Sequence, residues 1–202
     1  DNSYFSYLPW FSMYKLVTGC NDVIGAVDME TASESVKEVA GKAYAYRALD
    51  YFTLMYLFEP KANKYTDCSK VLGLTVPFVL PTTTVEQGMN NPRVPHDEMV
   101  AFILSDLDIA EECLANNVQN DKLYPSLACV YGLKARLYMW VEDYAKAQEF
   151  ARKAIDAATV SPITESVALN LSTGYNRFAD FMWSIVQNSE TYAVQTGIIN
   201  WT

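Results

Sequence analysis

The sequence predicts an all-α fold, in which paired helices pack side by side and long irregular segments connect them. Two observations support this prediction. Apolar and small residues recur every three or four positions in several segments, which is the periodicity of an amphipathic helix. In addition, residues 34–58 are apolar on nearly every side, which is typical of a helix enclosed by neighbours. Hydrophobic residues make up 50% of the chain and charged residues only 19%, as expected for a chain that folds around a core.

The segment 125–158 predicts two helices joined by a short turn at residues Val141–Asp143. Because such a pair cannot cover its apolar faces alone, it needs neighbours of similar shape. The pattern resembles a tetratricopeptide repeat through Tyr131, Ala135, Tyr138, Tyr144, Ala147 and Ala154. Lys134 stands where that repeat usually has leucine, and Ala151 where it usually has an aromatic residue. The predicted fold is therefore a tetratricopeptide-like helical bundle with long irregular loops.

Three further helices are predicted upstream of this hairpin. The first begins near Pro9, since proline is tolerated in the first turn of a helix. The second runs from Glu34 to Phe58, with Ser33 or Ser35 as its N-cap. The third runs from about His96 to Leu114, and its apolar stripe consists of Met99, Ile103, Leu107, Ala110 and Leu114.

Charged residues in these helices are interpreted as structural. Arg47 and Asp50 lie within the apolar helix, where a charge is costly unless it is paired. They are expected to pair with each other or with groups on neighbouring helices. The acidic pairs Asp106/Asp108 and Glu111/Glu112 are interpreted as a solvated helix face.

Residues 61–95 contain little helical signal, and glycines and prolines interrupt them repeatedly. One short run, Leu74–Leu80, has the pattern of an extended segment. Irregular segments of this length in a compact domain are usually functional or ligand-facing. An equally open interpretation is that residues 61–95 only cover the helices and contact no ligand.

Composition and motifs exclude several functions. The net charge of −9 and the lack of any basic cluster argue against nucleic-acid binding. Four separated cysteines and a single histidine make a zinc site or a disulfide framework improbable, and no cofactor is expected. No nucleotide-binding loop, nucleophile elbow or metalloprotease motif is present, and His96 lacks a nucleophile, so no enzymatic activity and no catalytic residue are predicted. No apolar run approaches the length of a membrane span.

Four segments in order resemble the SusD/RagB family of nutrient-capturing surface lipoproteins. The first helix is similar to that of the family through Trp10, Tyr14, Val17, Asn21 and Ile24. The second resembles the family signature through Ala43, Arg47, Ala48, Tyr51, Phe52, Leu54 and Phe58. The run VPFVLP, the pair Pro92-Arg93 leading into FILSDLDIAEECL, and the 125–158 hairpin complete the likeness. Two positions depart from it, because Lys42 replaces the usual glutamate and Pro95 the usual threonine.

The resemblance covers nearly the whole chain but only the N-terminal part of the family. Residues 1–202 are therefore expected to form a single SusD-like N-terminal helical region, an excerpt of a longer chain, that contains the 125–158 hairpin. The resemblance implies non-catalytic capture of oligosaccharides or other nutrients at the cell outer membrane. It implies an N-terminal lipid anchor outside this chain and delivery to a SusC-like TonB-dependent transporter. The alternative is a tetratricopeptide-type scaffold that grips protein partners.

Sugar binding requires exposed aromatic rings and planar amide or carboxylate groups. Loop residues that offer this chemistry are Tyr65, Gln87, Asn90, Asn91, Tyr175 and Asn176, which are predicted as ligand-binding residues. Arg93 is expected to be a structural hydrogen-bond donor instead.

Overall fold

A computed structural model describes residues 4–117, 121–169 and 181–183. The described residues form an all-α fold, as predicted. The helices are α1 (Tyr4–Gly25), α2 (Glu34–Phe58), α3 (Val85–Met89), α4 (His96–Leu114), α5 (Leu127–Trp140), α6 (Tyr144–Ala157) and α7 (Glu165–Ala168). A 3₁₀ turn at Ser69–Val71 lies in the segment between α2 and α3.

Helix α2 is the centre of the fold. It packs against α1 on one side and against α4 on another. Helix α4 also packs against α5, and α5 pairs with α6. Tyr51, Leu54 and Met55 of α2 are completely buried, as are alanines that allow the neighbouring helices to approach. The closest approach is at Gly41, where an added methyl group would lie 2.5 Å from Cβ of Cys113 on α4. The sequence-based prediction of an enclosed central helix is confirmed.

Most predicted helix boundaries match the structure, but the start of the first helix does not. Helix α1 begins at Tyr4, so Pro9 lies inside it rather than in its first turn. Pro9 is the sixth residue of α1, beyond the first four amides that have no helical partner, so it removes one backbone hydrogen bond from the helix. The rings of Tyr7 and Phe11, one turn apart on either side of the proline, stack with centroids 5.6 Å apart. This contact supports the helical turn that the proline weakens.

A buried charged cluster joins α1, α2 and α4. The Arg47 guanidinium donates through Nε and Nη2 to the two carboxylate oxygens of Asp106, each at 2.8 Å. Its Nη1 donates to Oδ1 of Asn21 at 2.7 Å, and Asn21 Nδ2 donates to the Val79 carbonyl at 2.7 Å. Arg47 therefore pairs with neighbouring helices and not with Asp50. The interpretation of Asp106 as part of a solvated face is wrong, because this residue is only 2% exposed and its charge is matched across the helix interface.

A second ion pair links α5 to α4 at the position where the repeat usually carries leucine. The Lys134 side chain is 3% exposed, and its Nζ donates to Asp108 Oδ1 at 2.6 Å and to Glu111. The aliphatic stem of a lysine can fill the space of a leucine while its charged end reaches an acidic partner. Lys134 therefore replaces leucine without leaving an unpaired charge.

The irregular segment between α2 and α4 is pinned to the helices. Leu74 forms an antiparallel bridge with Pro95, and the Thr75 amide donates to the Val94 carbonyl at 2.7 Å. The Val79 amide donates to the hydroxyl of Tyr51 at 2.7 Å. Arg93 Nη1 donates to the Phe58 carbonyl at 3.1 Å and to that of Thr75, which confirms its predicted role as a structural donor.

Candidate functional site

The predicted ligand residues that the structure describes do not line a common cavity. Tyr65 is 82% exposed on a turn that Asn63 organises, because the Asn63 side-chain oxygen accepts from the amides of Tyr65 and Thr66. The Lys64 ammonium lies 5.1 Å from the centroid of the Tyr65 ring. Tyr175 and Asn176 lie outside the described residues.

Two of the remaining predicted residues are used by the fold itself. The Gln87 side chain accepts from the Thr84 amide at 2.9 Å and completes the capping box of α3. Asn91 donates through Nδ2 to the Phe78 carbonyl. Asn90 is exposed at the C-terminal end of α3. None of these residues, nor Tyr65, lines either of the two cavities described below.

A polar pocket of about 440 Å³ lies where three distant parts of the chain meet. It is formed by the end of α2, the start of α4 and the turn between α5 and α6. Its lining consists of Glu59, Lys61, Gly73, His96, Trp140, Val141 and Glu142. We call it the Trp140 pocket.

Local backbone geometry places these residues together. Pro60 ends α2 directly after Glu59, because the residue before a proline avoids the helical region. Gly73 adopts φ of +75°, a left-handed conformation that suits glycine, and its carbonyl accepts from the His96 amide at 2.8 Å. Glu142, in the tight turn after α5, also has positive φ, at 62°.

Glu59 is the central polar group of the Trp140 pocket. Its side chain is only 6% exposed, and Oε1 lies 3.1 Å from His96 Nδ1 and 2.9 Å from Lys61 Nζ. Its second oxygen, Oε2, is buried without a hydrogen-bond partner among the described residues. A buried carboxylate oxygen without a partner is costly, so it favours a bound donor such as a hydroxyl group or water.

Trp140 supplies an aromatic wall beside this carboxylate. Lys61 Nζ lies 5.1 Å from the centroid of the indole, and the Tyr56 ring packs on it at 5.2 Å. An aromatic surface next to a carboxylate, an ammonium and an imidazole can bind a molecule that has both apolar faces and hydroxyl groups. The lining given above includes no serine, threonine or cysteine beside His96.

Sequence reasoning did not identify this pocket. The sequence suggested no partner for His96, whereas its ring lies beside the carboxylate of Glu59, 37 positions away. The available signals were a carboxylate at a helix end followed by proline, and a tryptophan at the end of the first arm of the hairpin. Neither signal shows that the two groups meet, because that depends on how the helices stack.

The stacked helix pairs define a helical bundle of the tetratricopeptide-like kind. A family model described as "Starch-binding associating with outer membrane" matches residues 2–139 of the chain. Since this match covers more than half of the sequence, the chain belongs to the SusD-like family. The predicted family resemblance is confirmed.

Two relatives illustrate the likeness. A SusD-like protein, P38, from Formosa agariphila is 26% identical over 141 residues, which is 70% of this chain and 24% of that protein. A SusD-like carbohydrate binding protein from Bacteroides vulgatus has the same fold, with a TM-score of 0.72 and 22% identity. That comparison covers 90% of this chain and 37% of the Bacteroides protein.

The similarity is therefore to a part of these larger proteins. A laminarin binding SusD-like protein also shares the fold, with a TM-score of 0.56 and 18% identity, over 72% of this chain and 29% of its own. Within the described residues, no helix is long and apolar enough to cross a membrane.

Proposed function

We propose that this chain belongs to a non-catalytic protein that captures oligosaccharides at the bacterial cell surface. Membership in the SusD-like family is the observation that carries the proposal. Relatives described as carbohydrate binding and laminarin binding support it, because they share the helical fold. The family's association with the outer membrane supports a location there. An N-terminal lipid anchor is the attachment that we propose.

The Trp140 pocket is the glycan contact that we propose on the described part of the chain. A sugar ring would lie against the indole and donate a hydroxyl hydrogen bond to Glu59 Oε2. Captured glycan would then pass to a SusC-like TonB-dependent transporter. Capture of this kind requires rapid release, so binding is expected to be weak. Because the proposed contacts include hydrogen bonds, the binding enthalpy is expected to be favourable.

Affinity electrophoresis through gels that contain laminarin, starch or other plant and host polysaccharides tests this function. The purified protein should be retarded by at least one polysaccharide, and calorimetry should then give a favourable binding enthalpy. Absence of retardation by every polysaccharide, together with binding to extended peptides, would contradict glycan capture. It would favour a tetratricopeptide-type scaffold.

A further inference from the structure

A large apolar groove runs between α1 and α2, away from the Trp140 pocket. Its volume is about 1140 Å³, and α1 residues from Leu8 to Val23 form one wall. Side chains along it are unusually exposed for their type: Leu8 42%, Phe11 50%, Leu16 52% and Val39 51%. Apolar surface that is this continuous and exposed usually marks a place where something else packs. It suits an apolar segment better than an oligosaccharide, because most of the surface that lines it is apolar.

A buried carboxyl group also lines the groove. Asp50 is 4% exposed, and its Oδ2 has no hydrogen-bond partner among the described residues. Burial raises the pKa of Asp50 to about 7. An unpartnered buried oxygen indicates that the occupant brings its own hydrogen-bonding group. Most of the surface that lines the groove beside this carboxyl is apolar, which favours an uncharged partner.

The chain itself reaches the edge of this groove. The Trp183 ring packs edge-on against Tyr46, a groove residue, with centroids 4.9 Å apart. Trp183 Nε1 donates to the Tyr46 hydroxyl at 3.3 Å, and that hydroxyl donates to the Leu123 carbonyl at 2.7 Å. One residue earlier, the Met182 carbonyl accepts from Cys129 Sγ at 3.6 Å. Residues that follow Trp183 therefore start beside the groove.

The sequence after Trp183 has the chemistry that the groove requires. Residues 184–202 contain no lysine or arginine, and Glu190 is their only charged side chain. Their apolar members are Ile185, Val186, Tyr192, Ala193, Val194, Ile198, Ile199 and Trp201. The groove wall on α1 is about 22 Å long at 1.5 Å per helical residue. About seven extended residues span that distance, so the segment is long enough.

We propose that the groove between α1 and α2 is the docking site of the chain's own segment 184–202, which covers the exposed apolar side chains and gives Asp50 a neutral hydrogen-bond partner. A second copy of the chain is a weaker candidate. Trp183 already holds the start of the segment at the groove, so its effective concentration there far exceeds that of another molecule.

Thiol labelling tests this proposal. A thiol introduced by Leu16→Cys reports on the groove, and one introduced by Met89→Cys reports on an exposed position of α3 as a reference. Each is placed in the native chain and in a chain whose residues 184–202 are replaced by a glycine–serine sequence of equal length. Peptide mass spectrometry separates the introduced thiol from the native cysteines, and thermal unfolding verifies that all chains fold.

The proposal expects the Leu16→Cys thiol to react at least about tenfold more slowly in the native chain than in the replaced chain. The Met89→Cys thiol should react equally fast in both. Equal labelling of the Leu16→Cys thiol in the two chains would overturn the proposal. Protection that increases with protein concentration would also overturn it, because a second copy would then be the occupant.

Discussion

Arg47 shows how one residue connects three helices. This residue is 5% exposed, and its guanidinium donates hydrogen bonds to Asp106 and Asn21, so the charge is matched inside the protein. Sequence alone indicated that a buried arginine needs a partner. It could not choose the partner, because Asp106 lies 59 positions away on a helix that also carries solvated acids.

Removing Asp106 should be strongly destabilising. Asp106→Ala leaves the Arg47 charge buried and unpaired, which we expect to lower the free energy of unfolding by about 3–5 kcal/mol. Glu112→Ala, an exposed change on the same helix, should alter it by less than about 0.5 kcal/mol. Urea denaturation of both variants provides the measurement. A similar small loss in both would mean that the cluster does not stabilise the fold.

Asp50 gives the protein a specific pH dependence. Its pKa of about 7 in the folded state exceeds the ordinary aspartate value near 4, so the folded protein binds its proton more tightly than the unfolded chain does. Stability should therefore fall as pH rises between these two values, by about 1.4 kcal/mol per unit. Above about pH 7 this loss is complete, and below about pH 4 it is absent.

The Asp50→Asn variant tests this dependence. Asparagine cannot ionise, so the stability advantage of the variant over the native chain should grow from about pH 4 to about pH 7 and then level off. Neighbouring groups such as Cys20 and Arg47 remain in both chains, so their contributions largely cancel in the difference. Denaturation at a series of pH values gives that difference, and a constant value across the series would contradict the raised pKa.

At the scale of elements, the helix ends that were predicted well from the sequence are those set by a proline. Pro60 ends α2 and Pro95 precedes α4, and both boundaries agree with the structure. The short helix α3 was missed, although Thr84 and Gln87 have the spacing of a capping box. Its five residues show little periodicity, so only the cap could have revealed it.

The close contact between α2 and α4 requires glycine at position 41. Gly41→Ala would force Cβ against Cys113, so we expect a loss of about 1–3 kcal/mol in the free energy of unfolding despite the better helix propensity of alanine. Gly132→Ala on α5 is the matched control, since no atom of another helix lies within 4 Å of its added methyl group. That control should gain about 0.5–1 kcal/mol. Thermal or urea unfolding that shifts both variants in the same direction would contradict this contact.

At the scale of the whole molecule, the fold and family followed from the sequence, whereas the polar pocket did not. Periodicity and small residues determine which helices pair, and these are local properties of the chain. The Trp140 pocket instead depends on residues near positions 59, 96 and 140 meeting in space. Gln87 and Asn91 were selected because they are polar residues in a loop. Polarity alone could not distinguish side chains available to a ligand from those that hold the loop together.

The affinity of the Trp140→Ala variant for a retained polysaccharide tests the glycan-capture account most directly. Loss of the aromatic wall should weaken binding about tenfold, a change of about 1.4 kcal/mol. Tyr144→Ala, which removes a 65% exposed ring on α6 outside the pocket, should leave the affinity unchanged. Calorimetry on both folded variants provides the comparison. Equal affinity of Trp140→Ala and the native protein would contradict glycan binding at this pocket.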